Sequence, residues 1–212
     1  QLLFTAATIF AFHSFPGLTQ WMTFKGRVVP MLSLLVSSIT CMFMASSEQA
    51  RRSSPLKWQL LSLFTVGQSI FVGFITSFYS FKTVLNAMMS TAVATLTVTM
   101  YTLLNPNPKY DLSQWGSGLV SAGVIFLVYG MINLLSQFGI LPAGFLPYNE
   151  ALYSLLGASL FSLYLAYHTR LVISGKHTKY QLNEKDYVFG AMALYSDIID
   201  IFIYLLRLLD TD

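Results

Sequence analysis

Seven stretches of about 20 mostly apolar residues follow one another along this chain, and their succession limits the fold more than any other feature. Each is long enough to cross a hydrocarbon layer about 30 Å thick, where a backbone without internal hydrogen bonds is too costly to keep. The sequence therefore predicts an all-α membrane protein with transmembrane helices over residues 1–18, 28–45, 58–80, 82–104, 114–138, 149–174 and 184–209. Polar, Pro- and Gly-containing breaks such as "SSEQARRSSPLK", "NPNPKYD" and "GILPAGFLPYN" separate them. Only 10% of residues are charged, where a soluble domain carries about 25%. With no internal repeat and no low-complexity segment, residues 1–212 read as one transmembrane domain embedded in a lipid bilayer.

Orientation follows from the basic residues of the linkers. Arg51, Arg52, Lys57, Lys109, Lys176, Lys179 and Lys185 fall on one side, against Lys25, Arg27 and Lys82 on the other. The richer side is expected to face the cytosol or matrix. The chain opens inside an apolar stretch without an initiator Met, so an N-terminal tail is expected upstream. A net charge of +3, spread thinly, gives no reason to expect a nucleic-acid partner. Cys41 is the only cysteine, which excludes an intrachain disulfide and a cysteine-based metal cluster.

The last apolar segment, "LYSDIIDIFIYLLRLL", carries the feature that most needs explaining. A carboxylate in hydrocarbon costs about 2.5–3.5 kcal/mol even on lenient scales, and here there are two, Asp197 and Asp200. Three residues apart, they share a helix face, and Arg207 is nearly in line two turns beyond Asp200. That stripe is expected to face protein. It reads either as an interior site for a cation or proton, or as a structural network tied to Tyr195, Tyr204 or Ser196. His168, on the sixth segment, belongs to a residue type that changes charge between about pH 5 and 8; it reads as a proton switch beside an aspartate, or as a packing residue. Arg170, nearer the helix end, suits snorkelling to the interface.

Enzyme readings find little support. His168, Asp197 and Asp200 have no metalloenzyme spacing, and the nucleophile contexts of intramembrane proteases are absent. No catalytic residue and no resident cofactor is assigned. Thr91, Thr95, Thr99 and Thr102 form a hydroxyl stripe that suits close helix packing or a polar wall. Gln68 is open to the same two readings.

"AYHTRLVISGKHTKYQLNEKDYVFGAMALYSDIIDIFIYLLRLL", together with "LFTVGQSIFVGFITSFYSFKTVLNAMMSTAVATLTVTMYT", resembles the Bax inhibitor family, the transmembrane BAX-inhibitor-motif or Lifeguard proteins. The "GKH-KY" linker is most similar to the Lifeguard branch, and the likeness covers the whole chain. It implies a seven-helix bundle with the C-terminal helix central, a pH-gated calcium leak in an intracellular membrane, and suppression of cell death. The endoplasmic reticulum or Golgi fits best, and the mitochondrial inner membrane is also compatible.

The resemblance further implies that Asp197 is one of two acids that share protons at the gate. The other acid is replaced here, because "YHT" puts His168 in its place. Two carboxylates carry up to two negative charges, whereas a His–Asp pair runs from zero to minus one. Asp200 stands where family members commonly have Asn, and would restore a charge. Asp197 and Asp200 are thus the expected contacts of a transient Ca2+ ion, with protons as the other sensed or transported ion. Counting about 1.5 Å per residue from the expected helix ends puts Asp197 about 10 Å deeper than His168, a gap the proposed pair has to close. The rival reading is a divergent, non-transporting member serving as a scaffold or as a subunit held by protein partners in a larger membrane complex.

Overall fold

The computed structural model describes residues 1–104, 115–137, 150–174 and 186–210. Among them are nine helices and no strand: α1 (Leu2–Ser14), α2 (Pro16–Phe24), α3 (Val28–Ser46), α4 (Glu48–Arg52), α5 (Leu56–Thr76), α6 (Phe81–Leu104), α7 (Gly116–Gln137), α8 (Glu150–Ser174) and α9 (Tyr187–Asp210).

Two differences from the expected spans have local causes. The segment expected over 1–18 is not one helix: α1 and α2 meet at an angle of 88°. Pro16 has no N–H to donate, and its ring would collide with the carbonyl one turn back, so it ends α1 and becomes the first residue of α2. The linker after α3 is also not plain loop. Ser47 accepts a hydrogen bond from the Ala50 N–H at 3.2 Å and starts the short helix α4.

Five helices are long and apolar enough to cross a membrane (α3, α5, α6, α7 and α9), or six if the bent α1–α2 pair counts as one span. The helix outside that set is α8. It has the length, but Ser154, Ser159, Ser162, His168 and Arg170 dilute its apolar content. The two acids of α9 do not remove it from the set, because its Ile, Leu and Phe outweigh them. Large side chains stand open on these helices, among them Leu3 at 88% and Ile125 at 70% exposure. Water would penalise so much open apolar surface, and acyl chains do not. The protein is an integral membrane protein.

By contact the chain divides into two compact units. The first comprises Gln1–Leu85 and Thr178–Tyr195. In it α5 packs on both α1 and α3. The buried Thr5 hydroxyl lies 2.8 Å from Ser69 Oγ and 2.7 Å from Tyr195 Oη, joining α1 and α5 to the first half of α9. Phe64 meets the Tyr195 ring edge-on.

The second unit comprises Asn86–His177 and Ser196–Asp212. Its α7 and α8 fit by a regular device. Gly116, Gly123 and Gly130 recur every two turns on one face of α7, and each faces the hydroxyl of an α8 tyrosine: Tyr167, Tyr164 and Tyr153 respectively. A Cβ at those positions would stand 2.5–2.7 Å from the phenol oxygens, so the missing side chains are what admits the tyrosines. Tyr164 also donates to the Leu119 carbonyl at 2.8 Å. In the same unit Tyr204 of α9 lies across Gly157 and stacks on Phe161, with ring centroids 5.6 Å apart.

Candidate functional site

The spacing of α9 puts Asp197, Asp200, Tyr204 and Arg207 along one stripe. Asp197 is 4% exposed, and His168 Nδ1 lies 2.6 Å from its Oδ2. The imidazole is flanked by the Tyr164 ring, near-parallel at 5.9 Å, and the Tyr167 ring, edge-on at 5.4 Å. Those are two of the tyrosines seated against α7 glycines, so packing between α7 and α8 fixes the aromatic walls around the histidine.

The pair closes the expected depth gap for two reasons. First, α9 begins at Tyr187 rather than 184, which removes about 4.5 Å of the difference. Second, α8 and this part of α9 run in opposite directions, since 168 pairs with 197 and 157 with 204. Helical side chains lean toward their own N-terminus, so His168 leans inward as Asp197 leans outward.

At 2.6 Å one proton has to lie between nitrogen and oxygen, because two lone pairs would repel. The pair then has two accessible charges. With no further proton it carries minus one, and with a second proton on Nε2 it is neutral. Asp200 is half-buried one turn along the same face. Arg207 and Tyr204 line a cavity of about 400 Å³ together with residues of α7 and α8.

Of the remaining sequence candidates, Tyr195 and Gln68 lie in the first unit and the α6 threonines in the second. Tyr195 is committed to Thr5. Gln68 accepts from Ser37 Oγ at 3.1 Å, linking α5 to α3. Of the hydroxyl stripe on α6, Thr91 and Thr102 donate to their own helix's carbonyls four residues back. Thr95 Oγ1 is buried without a hydrogen bond. No group of three or more His, Cys, Asp or Glu side chains among the described residues is placed to hold a metal ion.

One polar cluster was hidden from sequence reasoning. Asp186, expected in the first turn of the last helix, immediately precedes it and is 1% exposed. Its carboxylate takes Arg51 Nε at 3.5 Å and Arg52 at 3.4 Å through both Nε and Nη2. Arg52 also pairs with Glu48, and Arg51 donates to the Ala45 carbonyl at 2.6 Å, satisfying the open end of α3. The hydrogen bond and charge of Asp186 hold the Arg52 guanidinium above its ordinary value. Lys57 Nζ sits 4.5 Å from the centre of the Tyr187 ring. Arg51, Arg52 and Lys57 thus have structural roles beyond setting orientation; Lys109, Lys176, Lys179 and Lys185 lie outside the described residues.

Comparison with known proteins supplies the wider setting. A family model described as "Inhibitor of apoptosis-promoting Bax1" matches residues 1–212. Human Protein lifeguard 3 is 32% identical over 209 residues, covering 99% of this chain and 64% of its own length. The mouse protein of the same name is 30% identical over 208 residues, again covering 64% of its length. The Golgi anti-apoptotic protein of vaccinia virus (strain Lister) is 30% identical over 213 residues, covering 99% of this chain and 80% of its own. The chain thus spans less than two thirds of the length of the Lifeguard relatives.

Proposed function

Because the chain belongs to the family of inhibitors of apoptosis-promoting Bax1, we propose that it is a proton-sensitive calcium leak of an intracellular membrane that restrains cell death. On this reading the chain has seven spans, six of them around the final helix, with α8 and the bent α1–α2 pair counted among the six. The name of one relative, a Golgi anti-apoptotic protein, supports a Golgi setting and the link to cell death.

The observation that carries the proposal is the part-buried contact between His168 and Asp197. A carboxylate with no fixed countercharge, inside a membrane-spanning helix, is stabilised by a partner that can change its own charge. At minus one the pair attracts a passing Ca2+, with Asp200 adding to the field; at zero it does not. Flux is therefore expected to fall as pH falls through the titration of the pair. Asp197 and Asp200 are contacts for an ion in transit, and Ca2+ is cargo here.

Liposomes loaded with a calcium-sensitive dye test this across pH. Asp197→Asn removes the negative state and should abolish the pH-dependent part of the flux. His168→Asp allows a second negative charge and should raise the response at neutral pH. Flux indifferent to Asp197→Asn, or absent from the unaltered protein, overturns the proposal and leaves the scaffold reading.

A further inference from the structure

The second unit contains a feature that the proposed leak does not use. Its cavity of about 400 Å³ is walled by α7, α8 and α9, and the polar groups converge at one end. Arg207 of α9 and Asn133 of α7 line that end. Asn133 Nδ2 spends one hydrogen on the Tyr129 carbonyl at 2.8 Å and has a second to offer. Tyr153 and Tyr204 add their rings to the wall, 5.9 Å apart and edge-on. The rest is apolar, including Leu127, Met131 and Leu160.

Three observations say what such a cavity would take. Arg207 forms no ion pair among the described residues, so a guanidinium charge stands without a carboxylate. It lies in the last turn of α9, about 4.5 Å along the axis from Asp210. That turn also suits a cation electrostatically, through the helix dipole, but the dipole alone leaves the fork of N–H donors unfilled. Finally, Leu127 and Met131 are both exposed on the outward side, so the cavity opens laterally toward acyl chains. A second apolar cavity of about 410 Å³ shares Phe126, Tyr153 and Leu160 as a common wall and offers further room for a chain.

We propose that this cavity is a binding site for an anionic lipid, whose phosphate or carboxylate head pairs with Arg207 and Asn133 while an acyl chain lies along Leu127, Leu160 and Phe161. The ligand arrives from the bilayer. A guanidinium fork matches two oxygens of such a head, and low local polarity strengthens the pairing.

The full chain in phosphatidylcholine vesicles, with a trace of phosphatidic acid carrying a photoactivatable group on its acyl chain, provides the test. Irradiation followed by peptide mapping should place adducts on the cavity-lining turns of α7, α8 and α9. Unlabelled phosphatidic acid should compete, and competition by oleate as well would show that a carboxylate head suffices. Arg207→Gln should lower labelling about tenfold, and Arg207→Lys, which keeps the charge but loses the fork, should fall between that variant and the unaltered protein. Leu127→Trp, at the exposed rim where little packing is lost, should narrow the opening and lower labelling with the fold intact. Four results would overturn the site: adducts spread evenly over lipid-facing helices, competition by phosphatidylcholine equal to that by phosphatidic acid, competition by inorganic phosphate alone, or unchanged labelling in both Arg207→Gln and Leu127→Trp. None of these readouts depends on calcium flux, so the lipid site and the leak fail or survive separately.

Discussion

Asp186 and Asp197 stand eleven residues apart, one just ahead of α9 and the other inside it, and both are almost fully buried. Their partners differ in kind. Asp186 is held by two guanidinium groups, which do not give up protons in proteins. Asp197 is held by one imidazole, whose charge depends on pH. The first arrangement fixes a charge where polar linkers meet, and the neighbouring contact of Arg51 with the end of α3 makes it a fastening. The second leaves charge adjustable within a spanning segment. Two buried carboxylates next to one helix thus serve opposite ends, and the difference lies wholly in whether the partner can titrate.

The largest expected effect breaks the fixed arrangement. Asp186→Ala leaves the buried Arg51 without its carboxylate, and removing one member of a buried ion pair costs about 3–5 kcal/mol. Thermal unfolding in detergent should show that loss equally at pH 6 and pH 8, because neither guanidinium changes charge in that range. A loss well below 1 kcal/mol would mean that the cluster behaves as a surface pair, and the contrast with Asp197 would collapse.

A smaller effect tests the adjustable arrangement. His168→Gln keeps a hydrogen-bond donor near Asp197 but removes the imidazole, leaving a buried carboxylate without the partner that sustains its charge. Flux at pH 8 should then fall toward its value at pH 6, a change on the order of tenfold for one unit charge near the ion's path. The pH profile should flatten relative to that of the unaltered protein. A profile as steep as that of the unaltered protein would show that another group carries the response.

How much of this was legible follows from the same physics. Asp197 and Asp200 stood out because a carboxylate in an apolar run is costly wherever the chain folds, and His168 by the same reasoning. The helical class was equally visible, since bilayers leave few alternatives. The fastening was not. Arg52 and Asp186 are 134 residues apart, both in polar linkers where charges are ordinary. Pro16 announced the break between α1 and α2, but the apolar run through it masked the signal. The glycines of α7 recur every seven residues, a pattern open to inspection; their tyrosine partners on α8 depend on how two helices pair. The polar character of α8 was visible too, but its acids made α9 the more conspicuous.

The smallest predicted effect sharpens the comparison by removing charge from it. Thr5, 2% exposed, bridges Ser69 and Tyr195 through one hydroxyl, and none of the three carries a charge near neutrality. Thr5→Val keeps the shape and deletes the bridge, so two buried oxygens must pair with each other or go unsatisfied. The cost should be about 1 kcal/mol, read as a modest fall in melting temperature that is the same at pH 6 and pH 8. If it matched the loss in Asp186→Ala, burial of polar groups alone would explain the stability of the first unit, and the arginines would add nothing beyond their hydrogen bonds. If instead it falls several-fold short, charge compensation is what separates the fastening from an ordinary buried network. Flux in the Thr5→Val protein should keep its pH profile, because the altered hydroxyl belongs to the first unit and the titrating pair to the second.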